Sequence, residues 1–81
     1  MVLQEEAAEV IQSCSKIIRF GWDSKYSGVD NRDYLTQELG DLLCMVDILI
    51  EQRLVSKEEL DLASTRKRNK LKIWSSLDLK S

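Results

Sequence analysis

The chain contains no histidine. Imidazole acid–base catalysis, histidine-dependent zinc sites and serine–histidine arrangements are thereby excluded. Proline is absent too, which suits long helices. Cysteine is scarce: Cys14 and Cys44 are the only two. Each lies in an apolar-periodic segment, so both read as buried thiols rather than as a disulfide framework. No apolar run reaches the roughly 18 residues of a membrane span. The opening MVLQEEAAEV is acidic early, unlike a secretory signal with its basic first region. A cytoplasmic protein with no membrane partner is the simplest expectation. A large charge of one sign is also missing: 12 Lys and Arg face 14 Asp and Glu, for a net charge of −2. Nucleic-acid binders usually carry a strongly basic footprint, so no nucleic-acid partner is expected.

What is present is 81 residues, one domain at most. Chains of this size bury a small fraction of their surface and need help from disulfides, a metal or self-association. With a disulfide set aside, metal binding or oligomerisation remains.

Apolar periodicity predicts three helices. Leu3, Ala7, Val10, Cys14 and Ile17 recur at spacings of four and three, with Ile11 and Ile18 widening the stripe. This is an amphipathic helix over about 2–20, stopped by Gly21. GWDSKYSGVDNR, residues 21–32, has no period and reads as a loop. Its Trp22 and Tyr26 either cap the core or face a ligand. A second helix, starting near Asn31 or Asp33 and running to about Arg53 (about 33–53), carries Leu35, Leu39, Leu42, Val46 and Leu49 in line, with Leu43, Ile50 and Met45 beside them. It is too apolar for one partner helix to cover, so the fold expected is all-α: a three-helix subunit within an oligomeric bundle. Ser56 followed by Glu59 is a capping box that starts a third helix over about 57–75. No internal repeat is visible.

The carboxylates are the chemistry-bearing feature. Glu5, Glu6 and Glu9 open the first helix, where acids favour the N-terminus. At about 100° per residue, Glu6 borders the apolar stripe and Glu9 lies roughly 60° further round. Glu38 and Asp41, also three apart, flank the stripe of the second helix on the side of Tyr34 and Met45. Packing the two helices through their stripes would aim four carboxylates at one region. Such anions repel and raise one another's pKa unless neutralised. Lysines in solvated ion pairs are one remedy. A hard divalent cation such as Mg²⁺ or Mn²⁺, which oxygen ligands select, is the other. Asp47 points to the opposite border of its helix and is expected to be a hydrogen-bonded or interface carboxylate.

EEAAEVIQSCSKIIRFG followed by NRDYLTQELGDLL resembles the MazG-like nucleoside triphosphate pyrophosphohydrolases, an all-α superfamily. The family pattern EExxE then ExxD reads here as Glu5, Glu6 and Glu9, then Glu38 and Asp41, with 28 residues between Glu9 and Glu38. The stretch Ser15 to Gly21 is similar to small phage and bacterial members. The likeness covers about residues 3–50; the third helix matches only in character. It implies a homo-oligomer, dimer or tetramer, with a four-helix core. It also implies cleavage of a nucleoside triphosphate substrate between its α and β phosphates. Carried over, Glu6, Glu9, Glu38 and Asp41 match the Mg²⁺ positions, and Glu5 matches the first acid of the motif. Little precedes EExxE here, whereas larger relatives carry an additional N-terminal helix that walls the nucleotide pocket; a partner subunit would have to supply that wall.

Such chemistry needs no histidine, because a metal polarises phosphoryl oxygens and acidifies water. Glu9 and Glu5 are the candidates to orient or deprotonate that water. The phosphates need cations. Lys16, two turns beyond Glu9 on its side of the helix, and Arg19 are candidates. The run RKRNKLK, residues 66–72, spreads round its helix and suits a C-terminal position; Lys67, Asn69 and Lys70 are the candidates there. Trp22 or Tyr26 would stack on a base. The alternative is a non-catalytic helical oligomerisation or regulatory module whose carboxylates make surface pairs.

Overall fold

Each helix end is set by a local device that can be read residue by residue. In a computed structural model that describes residues 2–26 and 28–74, α1 spans Val2–Phe20 and α2 spans Asn31–Glu51. Helix α3 spans Lys57–Trp74, and a two-residue ribbon, β1 (Lys25–Tyr26) with β2 (Val29–Asp30), lies between α1 and α2. The described chain is all-α apart from this ribbon. None of its helices is long and apolar enough to cross a membrane.

Helix α1 closes at Gly21, whose amide donates to the Ile17 carbonyl at 2.8 Å. Gly21 has φ 92°, a left-handed value that glycine adopts without a Cβ penalty. Helix α2 begins at Asn31, the earlier of the two expected starts. All three of its first amides are satisfied: Asn31 donates to Ser24 O at 2.9 Å, Arg32 to Trp22 O at 2.9 Å and Asp33 to the Asp30 carboxylate at 2.8 Å. Asp30 is therefore the N-cap. The segment expected to be a plain loop instead holds the antiparallel pairs Lys25 with Asp30 and Tyr26 with Val29. Gly28 at φ 82° makes the tight connection, and the ribbon places Ser24 and Trp22 where the amides of α2 can reach them.

Helix α2 ends two residues before the expected boundary. Leu54 N–H donates to Leu49 O and Arg53 N–H to Ile50 O, both at 3.0 Å. This pair of bonds is a Schellman closure, with Arg53 at φ 60° in the position glycine usually takes. Ser56 Oγ then accepts from the Glu59 amide at 3.3 Å and caps α3. Ser75, the last residue of the third expected helix, lies outside the described residues.

The chain gathers into two compact units, Met1–Ile48 and Leu49–Ser81. In the first unit, Asn31 at the start of α2 reaches Lys16 and Gly21 near the end of α1. Glu38, further along α2, meets Glu6 and Glu9 near the start of α1. The two helices therefore run antiparallel.

Their seam does not follow the centre of either apolar stripe. On α1 the covered residues are Leu3, Glu6, Ala7, Val10, Ser13 and Ile17, and on α2 they run from Asn31, Tyr34 and Leu35 through Glu38, Leu42, Met45 and Val46 to Leu49 and Ile50. At 100° per residue the covered faces take in much of each stripe but are centred roughly 40° toward its acidic border. Two consequences correct the expectation from periodicity. Cys14 and Cys44 are exposed free thiols, not buried ones, because the seam passes to one side of them. Ile11 (66 % exposed), Ile18 (85 %) and Leu43 (62 %) are left open. Among the described residues no apolar side chain is fully buried; the most covered residues are the polar Asn31 and Ser13.

In the second unit, residues 57–73 of α3 are exposed apart from the half-buried Leu71. Its first turn carries a Lys57–Asp61 ion pair at 3.2 Å, exposed and so of little energetic weight.

Candidate metal centre

The displaced seam brings acids together. Glu6 and Glu9, one turn apart on α1, share a face, and Glu38 on α2 lies opposite. One carboxylate oxygen from each falls within 4.8 Å of the other two. Glu6 and Glu38 are half-buried, whereas Glu9 opens to solvent. Asp41 is exposed and stands outside this group of three, yet its charge bears on both Glu6 and Glu38. Glu5 is exposed and contributes only its charge, which bears on Glu6.

Glu6 Oε2 and Glu38 Oε2 are shut off from solvent without a hydrogen-bond partner. A buried polar atom without a partner is costly and is rare in native proteins. The titration of both groups reflects this. Glu38 is pushed up to about 7, chiefly by a hydrogen bond shared with the Glu9 carboxyl, then by desolvation and the charges of Glu9, Asp41 and Glu6. Glu6 is also raised, first by desolvation and then by the charges of Glu9, Asp41 and Glu5. An oxygen-only donor set with two partnerless oxygens fits a hard divalent cation.

The cationic candidates are divided between the two units. Lys16 places its ammonium 5.8 Å from the centre of the Tyr34 ring. With Phe20, Ser24, Lys25 and Asn31 it lines a concavity of about 530 Å³. The seven residues from Glu9 to Lys16 correspond to roughly 10 Å of helix. Arg19 lies over the Phe20 ring at 5.6 Å. Asn69 and Lys70 are exposed on α3, in the second unit. Lys67 lines a separate hollow there. Trp22 is half-exposed and carries the Arg32 guanidinium over its ring at 5.1 Å. The Tyr26 side chain lies outside the described residues.

Sequence reasoning missed Phe20, Lys25 and Asn31 as residues of one concavity. Phe20 and Lys25 carry no periodic signal, since the ribbon positions Lys25. The pairing of Asp30 and Asn31 at the start of a helix was the one available clue to Asn31. No protein-family model, curated protein or solved structure matches the chain.

Proposed function

We propose that the protein is a Mg²⁺-dependent nucleoside triphosphate pyrophosphohydrolase, converting a (d)NTP and water to the (d)NMP and pyrophosphate. One observation carries the reading: two carboxylate oxygens without solvent or partner inside a three-carboxylate group spanning two helices. The motif likeness to MazG-like enzymes supplies the reaction class. Glu6, Glu9 and Glu38 would hold Mg²⁺, with Mn²⁺ fitting the same donors, and Asp41 would complete the set. When bound, the cation supplies charge that polarises a phosphoryl oxygen and acidifies water.

The chain's own residues do the rest. Glu9, open to solvent and beside Glu38, would accept the proton of the water that attacks the α phosphorus. Glu5 is the second carboxylate within electrostatic reach of the group. Lys16 sets a positive charge beyond the carboxylates toward the concavity, where the departing pyrophosphate or the α phosphate needs one. Arg19 is the remaining proposed substrate contact of the first unit, and Asn69 and Lys70 are proposed as contacts supplied by another copy of the chain. A further copy of the chain would cover the open apolar residues of α1 and α2. Given the antiparallel arrangement and the matching displacement of both seams, these residues lie on one side of the pair.

The test is a panel of common and modified nucleoside triphosphates with Mg²⁺, scored for monophosphate and pyrophosphate. Hydrolysis of one or more is expected. Failure on all of them would remove the enzymatic reading.

A second reading, a non-catalytic helical oligomerisation module, is favoured by the lack of a fully buried apolar side chain among the described residues. It differs in predicting neither pyrophosphate release nor stabilisation by Mg²⁺.

A further inference from the structure

The concavity at the ribbon end of the first unit has a feature that the metal reading leaves unused. Asn31 lines it and is 4 % exposed. Its Nδ2 donates to Gly21 O at 2.9 Å and to Lys16 O at 3.5 Å. Both partners are carbonyl oxygens, which fixes the amide with its nitrogen toward α1. Its Oδ1 accepts from no donor among the described residues. Nor is Oδ1 shut off as Glu6 and Glu38 Oε2 are. An amide anchored by its nitrogen thus turns its acceptor to the space it borders. An acceptor held in so covered a place calls for a donor.

Beside that acceptor the walls suit a flat ring. Phe20 is an exposed aromatic, and Lys16 and Lys25 add apolar stems that end in ammonium groups. The volume of about 530 Å³ falls in the range of small-molecule sites, roughly 300–1,000 Å³. The position fits as well. At 100° per residue, Glu9, Lys16 and Phe20 lie within about 40° of one another on α1. The concavity therefore continues the face that carries the carboxylates, roughly 10 Å further along the helix. A nucleotide whose α phosphate lies at the carboxylates can carry its base that far.

We propose that this concavity seats the nucleobase of the substrate and selects one with an exocyclic amino group, as in cytosine or adenine. The base lies against the Phe20 ring. Its amino N–H donates to Asn31 Oδ1, and the ring nitrogen beside the amino group accepts from the Lys25 ammonium. Uracil and hypoxanthine carry a carbonyl oxygen where these bases carry the amino group. That oxygen meets Oδ1 lone pair to lone pair and leaves a covered acceptor unpaired, a mismatch that hydrogen-bonding sites reject strongly. The same acceptor argues against a phosphate as the occupant, despite the two lysines. The inference rests on the proposed function for its nucleotide; the choice of base comes from Asn31.

Nucleosides test it without the reaction. The full-length chain, isotope-labelled and free of Mg²⁺, is titrated with cytidine, uridine, adenosine and inosine and followed by NMR. Cytidine binds about tenfold or more tightly than uridine, and adenosine than inosine. The shifts gather at the amides of Phe20, Ser24 and Lys25 and at the Asn31 side-chain amide. N4,N4-dimethylcytidine keeps the ring acceptors, lacks the amino N–H and binds no better than uridine. Phe20→Ala, at an exposed ring, weakens every nucleoside by about tenfold while the amino preference persists. Equal affinity within both pairs overturns the proposal, as do shifts that map away from the concavity or no binding of any nucleoside. Pyrophosphate that shifts these amides more than cytidine does would give the concavity to phosphate and overturn it too. No bond is cleaved, so the two readings fall separately. A chain that binds cytidine here yet hydrolyses no triphosphate loses only the enzymatic reading; one that releases pyrophosphate but shows no base preference here loses only this one.

Discussion

The two ends of the α1–α2 pair treat buried polar groups in opposite ways. At the ribbon end, Asn31 is 4 % exposed and donates to Gly21 O at 2.9 Å, while its backbone amide finds Ser24 O. At the other end, Glu6 and Glu38 each hide an oxygen that finds nothing. The same two helices and the same seam produce both. Polar burial that is paid for by protein atoms fixes a turn and closes the chain. Under the proposed function, polar burial left uncompensated marks a place for an outside group to complete the structure. The first is architecture; the second is the proposed site.

The contrast breaks most sharply at Glu38. Under the proposed function, Glu38→Gln removes an anionic ligand and lowers pyrophosphate release by about 100-fold or more, on the scale of losing a metal-site group. Its metal-free melting temperature should hold or rise, because a repulsive carboxylate has gone. Loss of fold together with activity would mean that Glu38 is architectural after all. At the other end the expected pattern is reversed. Asn31→Ala removes the side-chain donor of the Gly21 carbonyl and should lower stability by about 2 kcal/mol, measured by denaturant unfolding.

A smaller effect is expected at Gly21. A Cβ there meets nothing within 4 Å, so Gly21→Ala adds no clash. Only the φ of 92° opposes it, at about 1 kcal/mol. A neutral result would shift the weight of the closed end from the backbone turn to Asn31 alone.

The mildest probe is pH. Glu38 holds its proton in the folded chain up to about 7, against an ordinary 4.5. Between these values the folded state binds more protons than the unfolded one, so stability falls as pH rises. The contribution of this group is complete below the lower value and lost through the higher one. The metal-free melting temperature should decline across that window. Glu38→Gln should flatten the decline, and Asn31→Ala should leave its slope intact. A flat wild-type profile would mean that the carboxylates are not crowded in solution.

Much of this architecture is legible from periodicity, and the rest is not, for a physical reason. The stripes of α1 and α2 mark which sides of the helices are apolar, and the spacing of Glu6, Glu9 and Glu38 puts acids at the borders. Periodicity cannot say which part of a wide stripe a given neighbour covers. The roughly 40° displacement of the seam is therefore invisible in it, and Cys14, central in its stripe, stands open in the structure. Asp41 lies one step outside the group for the same reason, since the spacing fixes its direction but not its reach. The ribbon was hidden because two-residue strands carry no alternation to detect. Asn31 owes its role to carbonyls 10 and 15 residues away in the chain, which no local pattern encodes.

The displacement of the seam carries one more consequence. A subunit in which no apolar side chain among the described residues is buried holds little of its stability by itself, and under the proposed assembly dilution becomes a denaturant. Native and unfolded chains would then be linked through mass action, so the unfolding midpoint should climb steadily with protein concentration. For this chain, a melting temperature quoted without a concentration would describe the sample rather than the molecule.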